Sequence, residues 1–593
     1  DGPSSSSSSS PSSSTPTSTK SQSNNYYYKC FPLEARHLES SSASSSSPLL
    51  LDGGPQEFHG TLLRRLQTAQ RRVYLASLYI GPAVDPQTYR REAELLQSLG
   101  QLTAAAQRRR RRRQPTYHDH SDDSSSNDDH NNNQQTSPHV EMKLLLDLNR
   151  ALRPVPLPNN DDYDDDKQGE TSLTSAEACY RALNNHPINK KDDGDDDTTT
   201  TNDDRSQTKP GQIFLLSALN NFWQKILPNP FNEAQGVFHI KAYVIDDTLI
   251  LSGANLSEEY FTDRHDRYLL IQNGGNGLVD CYADLISALC QHAQEYQGNG
   301  RVAESEKDRN DLLRSVAQVV MTTDPTCPVN LNDGSSTSQQ RKEGEDVVAV
   351  AVPTFQAPPH RFREEPTLRS DVTAIGELLQ EMTAQQEQKQ QQPEQHHEQS
   401  NNNNRAELRL ASAYLNPTRT FLQACHNLSH VHWLTAGRIS HGFKPKNKAG
   451  NKGKDWIPTV FDELARTLLS PQQERSSVWF YQKRDWTFHA KGLWCCAVPS
   501  AVENSDKSSS FAIPEGADVV AATHGSGNFG ARSELRDFES NLVLLFPPKS
   551  PLAELHKQEW NGMGEYAAHS SMEPVKKLSL PFQLALPWIR SFF

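Results

Sequence analysis

Two histidine–lysine pairs recur in this chain, and their residue types suit chemistry at phosphorus. In "FHIKAYVID", His239, Lys241 and Asp246 stand in the pattern HxKx4D, and "FHAKGLWCC" repeats its first part with His489 and Lys491. Residues two apart on an extended strand project to the same face, so imidazole and ammonium can address one phosphate together. Each copy follows a phenylalanine, opens an apolar strand and precedes a small-residue turn: Ser252 and Asn255 in "LSGANLS", Ser526 and Asn528 in "HGSGNFG". An isolated HxK reads as a polar surface strand, whereas repetition of the whole arrangement marks one shared catalytic site. The chemistry expected is phosphoryl transfer with no metal required. The lysines and turn groups would hold the nonbridging oxygens and spread the charge of the transition state. One neutral imidazole would attack phosphorus and become a phosphohistidine, while the other protonates the leaving oxygen and then takes a proton from the incoming alcohol. A carboxylate, Asp246 or another acid, would orient a ring and fix its tautomer.

The elements that must position these residues follow from hydrophobic pattern. Apolar residues at helical spacing (Phe58, Leu62, Leu63, Leu66) give way to a short apolar run from Val73 to Ile80, a helix and then a buried strand. A strand over Met142 to Leu148, a helix over Ser175 to Asn184 and the strands "QIFLLSAL", "GVFHIKAYVID" and "LILSGAN" follow. The second half repeats the order. It has a helix from Val372 to Met382, the strand "AELRLASAYLN", a helix from Thr418, the strand "VHWLTA" and a helix from Pro458 to Leu469. It then runs through "SVWFYQK", "TFHAKGLWCCAV", "VVAATHGSGNFG" and "SNLVLLF". The pattern predicts a duplicated α/β fold of two α/β/α sandwich domains.

Between these elements lie polar runs that explain a mean hydropathy of -0.74 over 593 residues, too polar for one evenly packed globule. The expected organisation is a disordered Ser-rich region over 1–55, a first domain over 56–325 with disordered insertions at about 101–139 and 156–210, a linker over 326–365, and a second domain over 366–593 with an insertion at about 383–405. The net charge of -13 is mostly local: from Asp161 to Asp204 fourteen acidic residues face four basic ones, so acidity says little about substrate. The run Arg108 to Arg113 reads as a disordered charge block. Eight cysteines without CxxC spacing suggest neither a disulfide framework nor a zinc site. No apolar stretch approaches the roughly 20 residues of a spanning helix, which excludes a multi-pass membrane protein. The Ser-rich start lacks the apolar centre of a secretory signal.

At its HxK residues the chain resembles the phospholipase D superfamily, whose two motifs meet at one site between halves of a duplicated α/β fold. The flanks "RRVYLASLYIG", "LSGANLSEEYFTDRHDRY", "WTFHAKGLW", "GSGNFGARSELRDFES" and the final "SFF" resemble, within it, the eukaryotic mitochondrial phosphatidylglycerophosphate synthases. That resemblance spans the patterned segments from Glu57 to Phe593 and leaves the polar insertions aside. It implies displacement of CMP from CDP-diacylglycerol by His239, then attack by glycerol-3-phosphate with His489 as acid and base, an early step toward phosphatidylglycerol and cardiolipin. It also implies a mitochondrial location, peripheral on the inner membrane, no required cofactor and no nucleic-acid partner. A divalent cation on the CDP pyrophosphate and the oligomeric state stay open. The acceptor carries its own phosphate, so Arg264, Arg267, Arg532 and Arg536 are expected near it, with pairing to Asp263, Asp266, Glu534 and Asp537 as the structural alternative.

Where a complete second motif would carry Asp, this chain has Cys496, a gap shared by the synthases it resembles. The acid that orients His489 is then open, with Asp537 and Glu539 in "RDFES" as candidates beside a plain salt-bridge role. The tail "KKLSLPFQLALPWIRSFF" suits either the headgroup region of a membrane or packing on its own domain, and the basic loop "HGFKPKNKAGNKGK" suits anionic headgroups or bare solvent. Competing functions are a phosphatidylserine synthase of the same superfamily, a tyrosyl-DNA phosphodiesterase and a noncatalytic scaffold. The intact set of His239, Lys241, Asp246, His489 and Lys491 argues against the last.

Overall fold

The computed structural model describes residues 27–37, 54–111, 140–158, 171–184, 211–219, 235–324, 347–359, 370–391, 404–443, 456–469, 475–500 and 510–569, with 233, 361, 362, 365 and 368. In the first half, Arg72–Ser77, Glu141–Asp147 and Gln212–Leu216 lie parallel, and Ala242–Ile245, Thr248–Ser252 and Tyr268–Ile271 continue the sheet antiparallel from the opposite side of Arg72–Ser77. The second half repeats order and direction. Asn404–Ser412, His430–Ala436 and Ser476–Tyr481 are its parallel strands, and Lys491–Pro499, Asp518–Gly525 and Glu539–Leu545 its antiparallel ones. The duplication expected from pattern is therefore a duplication of topology.

The central strands are apolar on both faces because both are covered. Val73 and Leu75 enter one core of the first half, while Tyr74 and Ala76 enter another on the opposite face. In the second half Leu493 and Cys495 face away from Trp494 and Cys496 in the same way. One of these cores is continuous between the halves, holding Val244 and Leu249 of the first sheet and Trp494 and Leu542 of the second. The helix Leu278–Cys290 lies in this shared core and buries residues around most of its circumference.

Four boundaries differ from expectation. Phe31–Glu34, inside the region read as disordered, is the edge strand of the second sheet and pairs with Val347–Gln356. Val347–Gln356 itself, inside the expected linker, pairs from Val350 onward with Glu539–Leu545 and is buried on both faces. Polar neighbours on either side hide this apolar run. Two insertions also begin later than read: the helix Arg90–Arg111 carries its backbone into the arginine run, and Asp371–Gln391 continues past Met382. The C-terminal tail and most of the basic loop lie outside the described residues.

Asp246 is not near the paired histidines. It sits at the far end of its strand, roughly 20 Å along from His239 at about 3.3 Å per residue, and its carboxylate accepts the backbone N–H groups of Gln70, Arg71 and Arg72 at 2.9, 2.8 and 3.1 Å. It closes the tight turn between Ala242–Ile245 and Thr248–Ser252 with a left-handed φ of 50°. In the second half the strand runs on to Pro499, so no turn needs an acid where Cys496 stands. Asp246→Ala should cost about 2 kcal/mol of stability while the folded fraction keeps its chemistry, checked by urea denaturation beside an activity assay.

Candidate active site at the junction of the halves

Two short parallel pairings join the halves at the histidines. Phe238 bridges Phe538, with His239 N–H donating to the Phe538 carbonyl at 2.9 Å. Arg264 and His265 pair with Thr487 and Phe488, with His489 N–H donating to the His265 carbonyl at 2.8 Å. Each HxK segment is thus zipped to the other half just before an acid. Glu539 follows Phe538 and reaches Nδ1 of His239 with both carboxylate oxygens at 3.0 Å; Asp266 follows His265 and reaches Nδ1 of His489 at 2.6 Å. The acids are exchanged between halves. A carboxylate on Nδ1 fixes the tautomer that leaves Nε2 as the reactive nitrogen. Of the sequence candidates for orienting His489, Glu539 serves His239 instead, and Asp537 accepts Val237 N–H at 2.9 Å and pairs with Arg532. Asp147, which the sequence did not single out, holds the neighbouring Phe238 N–H at 2.8 Å.

Lys241 and Lys491 are both buried and both donate to the carbonyl of their own histidine, at 2.7 and 3.0 Å. Burial pushes both ammonium groups down, Lys241 well below the usual range, and pushes both imidazoles well below theirs. Burial thus favours the neutral form of both rings, the form a nucleophile and a base need. An entering phosphate would favour the charged form of both lysines. Burial raises the Glu539 carboxyl to about 7 against the opposing pull of Lys241, and raises Asp266 against that of Lys491. Gly253 makes room for this cluster: a Cβ there would lie 2.5 Å from Lys491 Nζ and 2.6 Å from Asp266 Oδ1. Gly253→Ala should leave the fold intact and lower turnover at least about tenfold by displacing both groups, read as activity per folded molecule by circular dichroism and turnover.

The turn residues divide. Ser252 Oγ donates to the Arg267 carbonyl and accepts Ala254 N–H, and Ser526 Oγ accepts Ser540 N–H, so both serines build their turns. Asn255 Oδ1 and Asn528 Oδ1 are buried with no partner among the described residues, which suits them to a ligand donor. The arginines divide too. Arg267 is wholly engaged: Glu559 accepts from it at 2.8 and 2.7 Å, the carbonyls of Lys491 and Thr523 at 3.1 and 2.7 Å, and its guanidinium lies 4.0 Å over Trp494. It is a strut between the halves and no phosphate ligand. Arg536 donates to Gln235 at 2.7 Å at the rim, and Arg532 pairs with Asp537 and donates to the Glu233 carbonyl. Arg264 lies nearest His489; it pairs with Glu259, donates to the Tyr260 hydroxyl at 2.7 Å and has a buried Nε without a partner among the described residues.

His524, His556 and Glu559 bring potential metal-ligand atoms within 4.8 Å of one another. The Arg267 guanidinium occupies Glu559 and touches His524 Nε2 at 3.0 Å, placing a positive charge where a cation would sit. A hollow of about 710 Å³ beside Cys496 and Phe546 lies at the opposite end of the second sheet from the histidines. No helix among the described residues is long and apolar enough to cross a membrane.

The fold is duplicated and phospholipase D-like, with two acid-oriented histidines at one junction. The phosphatidylserine synthase of Haemophilus influenzae shares this fold, with a TM-score of 0.57 at 16% identity over 96% of this chain and 98% of that one. By sequence the chain is a homologue of proteins named CDP-diacylglycerol--glycerol-3-phosphate 3-phosphatidyltransferase. The mitochondrial protein of Bos taurus is 25% identical over 64% of this chain and 65% of its own length, and that of Gallus gallus 23% identical over 94% and 86%. A probable one from Dictyostelium discoideum is 26% identical over 60% of this chain and 57% of its own length. The chain thus spans just under two thirds of the length of the mammalian relatives it matches. No family model matches the chain.

Proposed function

We propose that the chain transfers a phosphatidyl group from CDP-diacylglycerol to glycerol-3-phosphate, giving phosphatidylglycerophosphate and CMP. The observation that carries this reading is the pair of imidazoles, each held at Nδ1 by a carboxylate from the other half and flanked by a buried lysine. His239 Nε2 attacks the phosphorus that bears the diacylglycerol, and CMP departs with a proton from the imidazolium form of His489, which leaves that ring neutral. His489 then removes the proton of the glycerol-3-phosphate primary hydroxyl, whose oxygen displaces His239. Lys241 and Lys491 hold the phosphoryl oxygens, which supplies the charge stabilisation without a required metal, while the open Oδ1 atoms of Asn255 and Asn528 accept from ligand hydroxyls. A divalent cation would act, if at all, on the pyrophosphate of the donor. Arg264 and Arg532 are the cations closest to hand for the second phosphate of the acceptor.

The mitochondrial names of its homologues support the same compartment for this chain, as a peripheral protein of the inner membrane acting on a lipid donor. The test is CMP release from CDP-diacylglycerol vesicles with glycerol-3-phosphate, serine or no acceptor, with lipid products resolved by mass. Release that depends on glycerol-3-phosphate and yields phosphatidylglycerophosphate is the expected result. Release that depends on serine would make the chain a phosphatidylserine synthase, and none from folded protein would reject phosphatidyl transfer.

A further inference from the structure

The two halves are not equivalent around their histidines, and the difference is localised. Counting back equally from the two orienting acids, Asp266 and Glu539, pairs Asn255 with Asn528, Arg264 with Asp537, Glu259 with Arg532 and Tyr260 with Ser533. The asparagines match. The ion pair is kept with its signs exchanged: Glu259 with Arg264 in the first half, Arg532 with Asp537 in the second. At the last position symmetry fails. Ser533 donates to Glu539 at 2.6 Å, and so acts on the acid behind His239. The longer Tyr260 passes its acid and brings its hydroxyl to Nε2 of His489, at 3.5 Å.

The Tyr260 hydroxyl has one proton and two lone pairs. It accepts from Asn255 Nδ2 at 3.0 Å and from Arg264 Nη1 at 2.7 Å, which fills both lone pairs and turns the proton toward His489. Its ring stands edge-on to the imidazole at 81°, with the Arg264 guanidinium 4.4 Å from its centre. His489 is thus gripped at both nitrogens, by Asp266 and by Tyr260, whereas Nε2 of His239 has no partner among the described residues.

Resting on the phosphatidyl-transfer reading, we infer that Tyr260 is a positioning residue that assigns the two histidines their different roles. Its hydroxyl occupies the Nε2 lone pair of His489, which keeps this ring out of line for attack and stabilises its neutral, proton-accepting form. The other groups facing His489 are Asp266, Lys491, Lys241, Arg264, His239 and Tyr414. Of these, Asp266 favours the charged ring while Lys491, Lys241 and Arg264 disfavour it, so loss of the Tyr260 donor should move the titration of His489 upward.

The experiment compares wild type, Tyr260→Phe and, as a control for the loss of a buried hydroxyl, Tyr268→Phe, whose hydroxyl reaches only the Tyr260 carbonyl among the described residues. CMP release and lipid product are followed from pH 5 to 9 with CDP-diacylglycerol vesicles and glycerol-3-phosphate. Tyr260→Phe should lower kcat about tenfold with KM for both substrates within about twofold, and shift the limb that reports the base upward by about one pH unit. Tyr268→Phe should move neither. A Tyr260→Phe enzyme with wild-type kcat and pH profile, or one whose pH profile stays fixed while kcat falls equally in Tyr268→Phe, would overturn the inference. Failure of the wild type to release CMP would instead overturn the phosphatidyl-transfer reading itself.

Discussion

Replacing His239 by alanine should reduce phosphatidyl transfer by about 10⁴-fold or more and remove the covalent intermediate altogether. A nucleophile that forms the bond to phosphorus has no substitute in the site, and groups acting as one unit lose nearly everything when one is removed. His489 does not replace it, because Tyr260 and Asp266 hold both of its ring nitrogens. His489→Ala should fail differently. The intermediate can still form slowly, since a nucleotide is a fair leaving group without an acid, but transfer to the weakly acidic glycerol hydroxyl needs the base. Rapid quench of the two variants separates these outcomes: no label on His239→Ala protein, and slow labelling without turnover on His489→Ala protein. Equal residual labelling in both would mean that the roles are shared.

The second large effect falls on the exchanged acids. Glu539→Gln and Asp266→Asn should each lower kcat by about 10² to 10⁴, because an amide at Nδ1 no longer fixes the tautomer or stabilises the imidazolium. The pH profile distinguishes this from simple misfolding. Burial raises the Glu539 carboxyl to about 7, so the native state binds its proton more tightly than the unfolded chain does. Its contribution to stability is full below the ordinary carboxylate range and is lost as pH rises through about 7. Activity runs the opposite way, rising through the same interval as the carboxylate ionises. Glu539→Gln should therefore flatten the acid limb of the rate profile and gain stability relative to wild type above pH 7, read by urea denaturation at pH 6 and pH 8. A Glu539→Gln enzyme with near wild-type turnover would remove Glu539 from the mechanism.

The sequence reading reached the histidines, the lysines and the duplication because each is written locally: two residues on one strand face, then the same order of elements again. It stopped where the information is nonlocal. Glu539 lies 300 residues from His239 and Asp266 lies 223 from His489. Both sit in charge-rich segments, "RDFES" and "DRHDRY", where a salt bridge explains an acid equally well. Only the register of Phe538 against Phe238 and of His265 against Phe488 selects the right carboxylate for each ring. Asp246 shows the reverse error: it completes a sequence pattern, yet the strand carries it to a turn that needs a carboxylate for three backbone amides. For Arg267 the sequence leaves a phosphate ligand and a structural partner of nearby acids equally open, and packing uses its charge to join Glu559 to two carbonyls. The strand Val347–Gln356 was hidden for a compositional reason, since ten residues of buried strand count for little between long polar runs.

The central claim is a phosphatidyl group carried on His239. It is tested most directly by quenching the protein with CDP-diacylglycerol labelled in the phosphate attached to diacylglycerol, then digesting under alkaline conditions that preserve phosphohistidine and locating the label by mass. Label on His239, discharged by glycerol-3-phosphate as phosphatidylglycerophosphate, is the result predicted. Label on His489 or elsewhere, or CMP release with no labelled protein at any time point, would contradict it.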